Sequence, residues 1–329
     1  MTDARDSLAP PADDPLAILA RMWLIRAFEE QASALYAKGI IRGLLHLGIG
    51  QEGVAVGTAS ALRPEDLVFG THRAHAHALA KGVDPVRLLA ELAGRTTGLC
   101  AGKGGSMHIS APEVGFVTAT GVVGGGIPLA VGAAYAARVR GDDRVALAFF
   151  GDGAGQTGSF HESLNIASLW RLPIVFVCEN NGYAEFTPLS AHTNIERLAT
   201  HAGTYGIEAE TVDGNDVVAV RDAVSRAAEA ARAGGGPRFV EALTYRLRGH
   251  YEGDPAKYRE LAELSDWRAK DPLARYRDRL QADGLLDADG TTVGGIEAEA
   301  RRRIESATRQ ALAAPLPAPD DVTRHVYAS

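Results

Sequence analysis

An open, mainly parallel, doubly wound α/β sheet is the fold this sequence predicts, and three observations carry the prediction. Val145 to Phe150 and Ile174 to Cys178 are short β-branched and aromatic runs bounded by turn residues, as strands buried on both faces of a parallel sheet should be. An amphipathic segment joins them, so strand, helix and strand form a crossover whose two following loops open on one edge of the sheet. The alternation then repeats. GIEAETVDG from Gly206 and PRFVEALTYRLRGH from Pro237 read as further strands, separated by an alanine-rich helix from Val217 to Ala233.

Each element follows from local chemistry. Residues 1–13 are polar and proline-rich and are expected to form a mobile arm. Asp14 with Pro15 starts a helix, and Ile18, Met22, Ile25, Phe28, Ala32 and Leu35 follow at spacings of three and four until Gly39 ends it. GLLHLGIGQEG, from Gly43 to Gly53, sets His46 between leucines, where a histidine is either a packed structural residue or a functional one. LVFGTHRAHAHALAKG gathers His72, His75 and His77, but Arg73 in their midst repels a cation and no acid completes a metal set. Arg73 reads better as an anion ligand, its planar fork suited to phosphate oxygens.

AGKGGSMHIS, from Ala101 to Ser110, resembles a phosphate loop only superficially, because Lys103 is followed by Gly104 rather than Ser or Thr and no strong strand precedes it. From Gly121 to Val139 the chain predicts a helix that is apolar all round, with Pro128 in its first turn. Gly132, Ala133, Ala136 and Ala137 allow another backbone close, either at the centre of an assembly or within a buried crossover. In the central crossover Ser159 and Glu162 have capping-box spacing, Phe160, Leu164, Ala167 and Leu169 supply an apolar face, and Pro173 stops the helix.

Beyond residue 260 the chain is helical and charged. One helical region runs from Asp266 to Leu280, broken near Pro272, and Ile296, Ala300, Ile304, Ala307 and Ala311 mark another before a proline-rich, extended tail. Three segments result: the arm of residues 1–13, an α/β domain with an N-terminal helical extension over residues 14–260, and a C-terminal helical extension and tail over residues 261–329.

The 329 residues are 46% hydrophobic and 23% charged, enough for a large core, and the formal net charge of −7 argues against nucleic acid or an anionic membrane as partner. Cys100 and Cys178 have neither disulfide nor zinc spacing, and the N-terminus has no apolar core of an export signal, so a cytoplasmic location is expected. No run is long enough to span a membrane.

The crossover places Asp152 and Asn181 on one rim of the sheet. A carboxylate and an amide oxygen are hard ligands suited to magnesium, and small Gly153 and Ala154 expose backbone N–H groups near a helix start, where a phosphate is favoured. Such a rim suits a magnesium diphosphate. The alternative is an ordinary crossover in which Asp152 caps and Asn181-Gly182 turns.

Gly151-Asp152-Gly153, then 26 residues, then Asn180-Asn181, resembles the signature of thiamine-diphosphate enzymes. AGKGGSMHIS and the segments around His46 and His72 are similar to the alpha subunits of two-chain thiamine-diphosphate dehydrogenases. The resemblance covers roughly residues 16 to 320 and implies the thiamine-diphosphate-binding fold. It also implies a magnesium ion on Asp152, Asn181 and the backbone carbonyl of Tyr183. His46, His72 and Arg73 fall on positions that contribute to the diphosphate and substrate pockets, and Gly121 and Val123 on backbone contacts to the aminopyrimidine ring. His250, for which a surface histidine is the alternative reading, falls on an active-site position that helps place cofactor and substrate. By resemblance His250, His46 and His72 are the catalytic candidates, and the cofactor set is His72, Arg73, Gly121, Val123, Asp152, Gly153, Ala154, Asn181, Tyr183 and His250. Pyruvate-specific members usually have tyrosine where His72 stands.

The family activates its cofactor with a glutamate from a separate pyrimidine-binding domain, and no second large α/β domain fits after residue 260. The resemblance therefore implies a beta subunit carrying that glutamate, an α2β2 heterotetramer, and a lipoyl acyltransferase as acceptor. THRAHAHALAKGVDP, ENNGYAEFTP and GHYEGDP look most like acetoin dehydrogenase alpha subunits, with pyruvate or branched-chain 2-oxo acid dehydrogenase as the alternative. A nicotinamide-binding protein would instead need G-x-G-x-x-G after an early strand. A non-catalytic scaffold would leave the rim unused.

Overall fold

Asp14 caps the first helix through its carboxylate, which accepts the Leu16 N–H at 3.0 Å, and Pro15 occupies the first turn, where its missing N–H costs nothing. From there the computed structural model describes residues 14–287, 289–324 and 326, so the expected N-terminal arm and the end of the tail lie outside the described residues. The elements are α1 (Pro15–Ala37), α2 (Glu52–Ser60), β1 (Leu67–Gly70), α3 (Ala74–Lys81), α4 (Pro85–Leu92), β2 (Phe116–Ala119), α5 (Gly126–Arg140) and β3 (Ala146–Gly151). They continue with α6 (Gly158–Leu169), β4 (Ile174–Asn180), the hairpin β5 (Tyr183–Ala184) and β6 (Thr187–Pro188), α7 (Leu189–His192) and α8 (Ala199–Thr204). The chain closes with β7 (Glu208–Asp213), α9 (Val217–Ala230), β8 (Arg238–Leu243), α10 (Leu261–Arg268), α11 (Pro272–Ala282) and α12 (Thr291–Ala313).

Six strands form one sheet in the order β2-β1-β3-β4-β8-β7, every pair parallel. The doubly wound expectation is met. Alternation along the strands divides the core into two layers: Leu147, Phe149, Val175, Val177 and Val240 face the side covered by α1 to α4, α9, α11 and α12, while Ala148, Phe150, Phe176, Cys178 and Phe239 face α5, α6 and α8. Exposed β7 ends the sheet with Glu208 and Glu210, charges that discourage another edge from pairing.

The order reverses beside β1. From there the chain runs outward to β2 on one side and returns to β3 on the other, so β1 and β3 flank a topological switch point, where a crevice opens outside the carboxyl ends of the strands. The loops after β1, β2, β3, β4 and β8 all meet there.

Several local expectations shift. Helix α6 starts at Gly158, and its cap is Thr157, whose hydroxyl accepts the Phe160 N–H, so no Ser159–Glu162 box forms. The 3₁₀ turn Asp152–Gln156 runs directly into the helix and moves its start. The helix ends at Leu169, which is exposed, and left-handed Arg171 makes the turn before Pro173 is reached. Strands β1 and β2, of four residues each, have no counterpart in the sequence reading. The C-terminal region divides at Pro272 as expected, and Arg26 of α1 ties it down by binding Glu52 of α2 at 2.5 Å and, through both terminal nitrogens, Asp271 at the start of α11.

Candidate functional site

A cavity of about 430 Å³ occupies the switch-point crevice. Its walls include His46, His72, Arg73, Gly121, Val123, Asp152, Gly153, Ala154, Asn181, Tyr183 and His250, all eleven residues that the sequence singled out. The parallel sheet brings them together: His72 and Arg73 follow β1, Gly121 and Val123 follow β2, Asp152 to Ala154 follow β3, Asn181 and Tyr183 follow β4, and His250 follows β8.

Asp152 is fully buried. Its Oδ1 accepts the Asn181 N–H at 3.3 Å, whereas Oδ2 has no hydrogen-bond partner. Such an orphaned carboxylate oxygen is costly unless a cation answers it. The Asn181 amide donates to Gln51 Oε1 at 3.4 Å, which turns its oxygen the other way, toward the Tyr183 N–H. Glycine is required at 153, where a Cβ would stand 2.8 Å from that of Ala184. These donors are hard oxygens, and they fit a magnesium-like ion.

The opposite wall is cationic. Buried Arg73 donates to the Leu47 carbonyl at 2.8 Å and, through its other terminal nitrogen, to the His250 carbonyl at 2.6 Å and to His250 Nδ1 at 3.1 Å. Arg246 donates to the same Nδ1 at 2.6 Å. With two guanidiniums on Nδ1, the His250 ring carries its proton on Nε2. Burial, then Arg73 and Arg246, pushes the His250 pKa down to about 3. Burial and Arg73 do the same to His46, and hold His72 well below the usual range. The three rings pack with centroids 4.8 to 5.5 Å apart. All are neutral at neutral pH, and His46 Nδ1 and His72 Nε2 have no hydrogen-bond partner.

His75 and His77 turn away from the cavity. His75 bridges Glu29 and Ser106, and His77 stacks on Phe149 while its Nε2 meets Glu179 at 3.0 Å. The glycine-rich loop from Ala101 is half-buried rather than buried, and its N–H groups are already engaged. Glu91 Oε2 accepts from Cys100 and Gly102, and Oε1 from Gly104 and Gly105, at 2.7 to 3.1 Å. Sequence reasoning missed Gln51, Glu179 and Arg246 on the cavity and Glu91 inside the glycine-rich loop. Arg246 was within reach, since it sits in the same strand-end loop as His250.

The cavity pairs an oxygen-rich cation corner with two arginines suited to an anion, which is the chemistry of a metal-bound phosphate ester. Residues 20–320 match the sequence model of the dehydrogenase E1 component. The chain belongs to that family. It is 42% identical to the alpha subunit of acetoin:2,6-dichlorophenolindophenol oxidoreductase of Cupriavidus necator, covering 99% of this chain and 98% of that one. The Bacillus subtilis protein of the same name is 40% identical, over 99% and 97%. The pyruvate dehydrogenase E1 component subunit alpha of Zymomonas mobilis is 41% identical, over 95% and 88%. As an E1 component this chain is an oxidoreductase subunit of alpha type, and the family implies thiamine diphosphate and a beta partner. The residues present fit that cofactor's charged end: Asp152 Oδ2 has no hydrogen-bond partner, and the Arg73 guanidinium lines the same cavity. No helix among the described residues is long and apolar enough to cross a membrane.

Proposed function

We propose that the chain is the alpha subunit of a thiamine-diphosphate-dependent acetoin dehydrogenase, which cleaves acetoin and passes the acetyl unit to a lipoyl acyltransferase. The observation that carries the reading is the cavity at the switch point, where a buried carboxylate with one oxygen lacking a hydrogen bond shares the walls with two arginines and three neutral imidazoles. Full-length similarity to two acetoin-oxidising subunits supports the substrate.

In this reading Asp152, Asn181 and the Tyr183 carbonyl would hold magnesium, Gly153 and Ala154 would offer N–H groups to the diphosphate, Arg73 would balance its charge and neutral His72 would hydrogen-bond it. Gly121 and Val123 offer backbone to the aminopyrimidine. Thiamine diphosphate held there would supply a carbanion able to add to a carbonyl and an electron sink for breaking the adjacent carbon–carbon bond. His250, protonated on Nε2, donates a hydrogen bond. His46 and His72, neutral and each with a ring nitrogen that has no partner, hydrogen-bond the substrate rather than hold a proton. Acetoin must lose its hydroxyl proton when that bond breaks, while a 2-oxo acid loses carbon dioxide without one, so imidazole acceptors placed to orient a hydroxyl favour acetoin. The second reading is a pyruvate or branched-chain 2-oxo acid dehydrogenase alpha subunit, which the Zymomonas mobilis relative favours.

A partner is built into this proposal. Leu129, Tyr135 and Val139 of α5, with Trp170 beside Tyr135, form an apolar face exposed by 44% to 66%. Such a face calls for a cover. Because α5 starts at the cavity, a beta subunit seated on it would reach the cofactor with its glutamate, and two such pairs give α2β2.

The test is reduction of 2,6-dichlorophenolindophenol by the chain co-expressed with a beta partner, with thiamine diphosphate and magnesium. Preference for acetoin over pyruvate and branched 2-oxo acids, absent without the partner, is expected. Preference for a 2-oxo acid would select the second reading, and turnover by the lone chain would overturn the shared site.

A further inference from the structure

Helix α7 carries a side chain to which nothing above gives a role. His192 ends that helix against the Asp152–Gln156 turn, with Nε2 3.4 Å from Asp152 Oδ2. Both ring nitrogens are buried without a hydrogen-bond partner, and Asp152 Oδ2 has none either. The two atoms face each other, yet their angle makes no hydrogen bond. Two buried polar atoms that face each other without a hydrogen bond are costly unless a third group lies between them and binds both. Two neighbouring ligand atoms on one octahedral ion, with bonds of about 2.0 to 2.2 Å, stand about 2.8 to 3.1 Å apart. At 3.4 Å this pair is within roughly a few tenths of an ångström of that spacing.

We propose that His192 Nε2 is a fourth protein ligand of the ion held by Asp152, Asn181 and the Tyr183 carbonyl. The assignment rests on the reading that this rim binds a metal diphosphate. Its consequence concerns which ion is preferred. Three oxygen donors alone suit magnesium, whereas a nitrogen donor shifts preference toward transition-metal ions, which accept imidazole more readily. The ligand would also anchor the segment that carries it: β5 and β6 pair just before α7, and the Leu189 N–H donates to the Gly182 carbonyl at 2.8 Å, so His192 closes a loop that begins at Asn181.

The experiment uses the complex of this chain with its beta partner, loaded with thiamine diphosphate and Mn²⁺, the chain's histidines labelled with ¹⁵N. Pulsed electron paramagnetic resonance then reports any nitrogen bonded directly to the manganese. A direct histidine coupling is expected in the wild type and lost in His192→Gln, which still binds Mn²⁺ but with its preference for Mn²⁺ over Mg²⁺ reduced by about tenfold. Because His46, His72 and His250 carry the same label, a coupling that survives His192→Gln would overturn the assignment. So would bound Mn²⁺ with no nitrogen coupling, and in both cases the cofactor reading stands. Wild-type complex that binds no Mn²⁺ in the presence of thiamine diphosphate would overturn that reading and this inference together.

Discussion

Two glycine-rich turns of this chain display backbone N–H groups around a buried carboxylate, and they end in opposite conditions. In the loop that follows α4, four N–H groups close on Glu91 and satisfy both of its oxygens. In the turn after β3, Asp152 receives one N–H on Oδ1 and none on Oδ2. Glycine serves both, but for different ends: Gly104 lets the loop fold on itself, since a Cβ there would meet the His108 carbonyl at 2.2 Å, while Gly153 lets Ala184 of β5 close against the turn. A glycine-rich run becomes a site when the anion or cation it needs is not supplied by its own chain.

Removing each carboxylate is the strongest way to break this comparison. Asp152→Ala should lower turnover of the assembled enzyme by more than about 100-fold, beyond what even an outer-shell change at a metal site reaches, while the melting temperature without cofactor stays level or rises. A matching loss of melting temperature would show that Asp152 is structural. Glu91→Ala should do the reverse. It strands four N–H donors, and urea unfolding should show a loss of at least about 3 kcal/mol. If stability is unchanged, the cradle has no energetic meaning.

Smaller changes sharpen the contrast. Gly102→Ala puts a side chain at φ +77 with its Cβ 2.6 Å from the Gly94 carbonyl carbon, and unfolding should register about 1 to 3 kcal/mol of strain. Circular-dichroism melts would detect it. The mildest effect is pH-dependent. Folded His46 and His250 resist the proton that an unfolded imidazole accepts near pH 6.5, so below that pH the unfolded chain binds more protons. Their contribution is present above pH 6.5 and is lost as the pH falls toward 3. The melting temperature should therefore drop between pH 7.5 and 5.5, and His46→Gln should flatten the slope.

Legibility in the sequence tracks distance along the chain. Asp152 and Asn181 were visible because one crossover fixes both, and the strands flanking them are long enough to show their character. Four-residue β1 and β2 are too short for any period, so the switch point they create was hidden even though its residues were named. The cluster of His46, His72 and His250 joins positions from three separate loops, and Gln51 reaches Asn181 across 130 positions. Pairings of that kind come from the fold as a whole. His192 had no signal at all, since nothing nearby marks a lone histidine in a polar loop.

The exposed face of α5 also bears on how much of this protein a cell can keep. A copy that has not met its partner displays Leu129, Tyr135 and Val139 to chaperones and proteases, which read such surfaces as unfinished folding. Its abundance would then be set by the supply of the other subunit rather than by its own rate of synthesis, so overproducing this chain alone should yield turnover or aggregates instead of a reservoir.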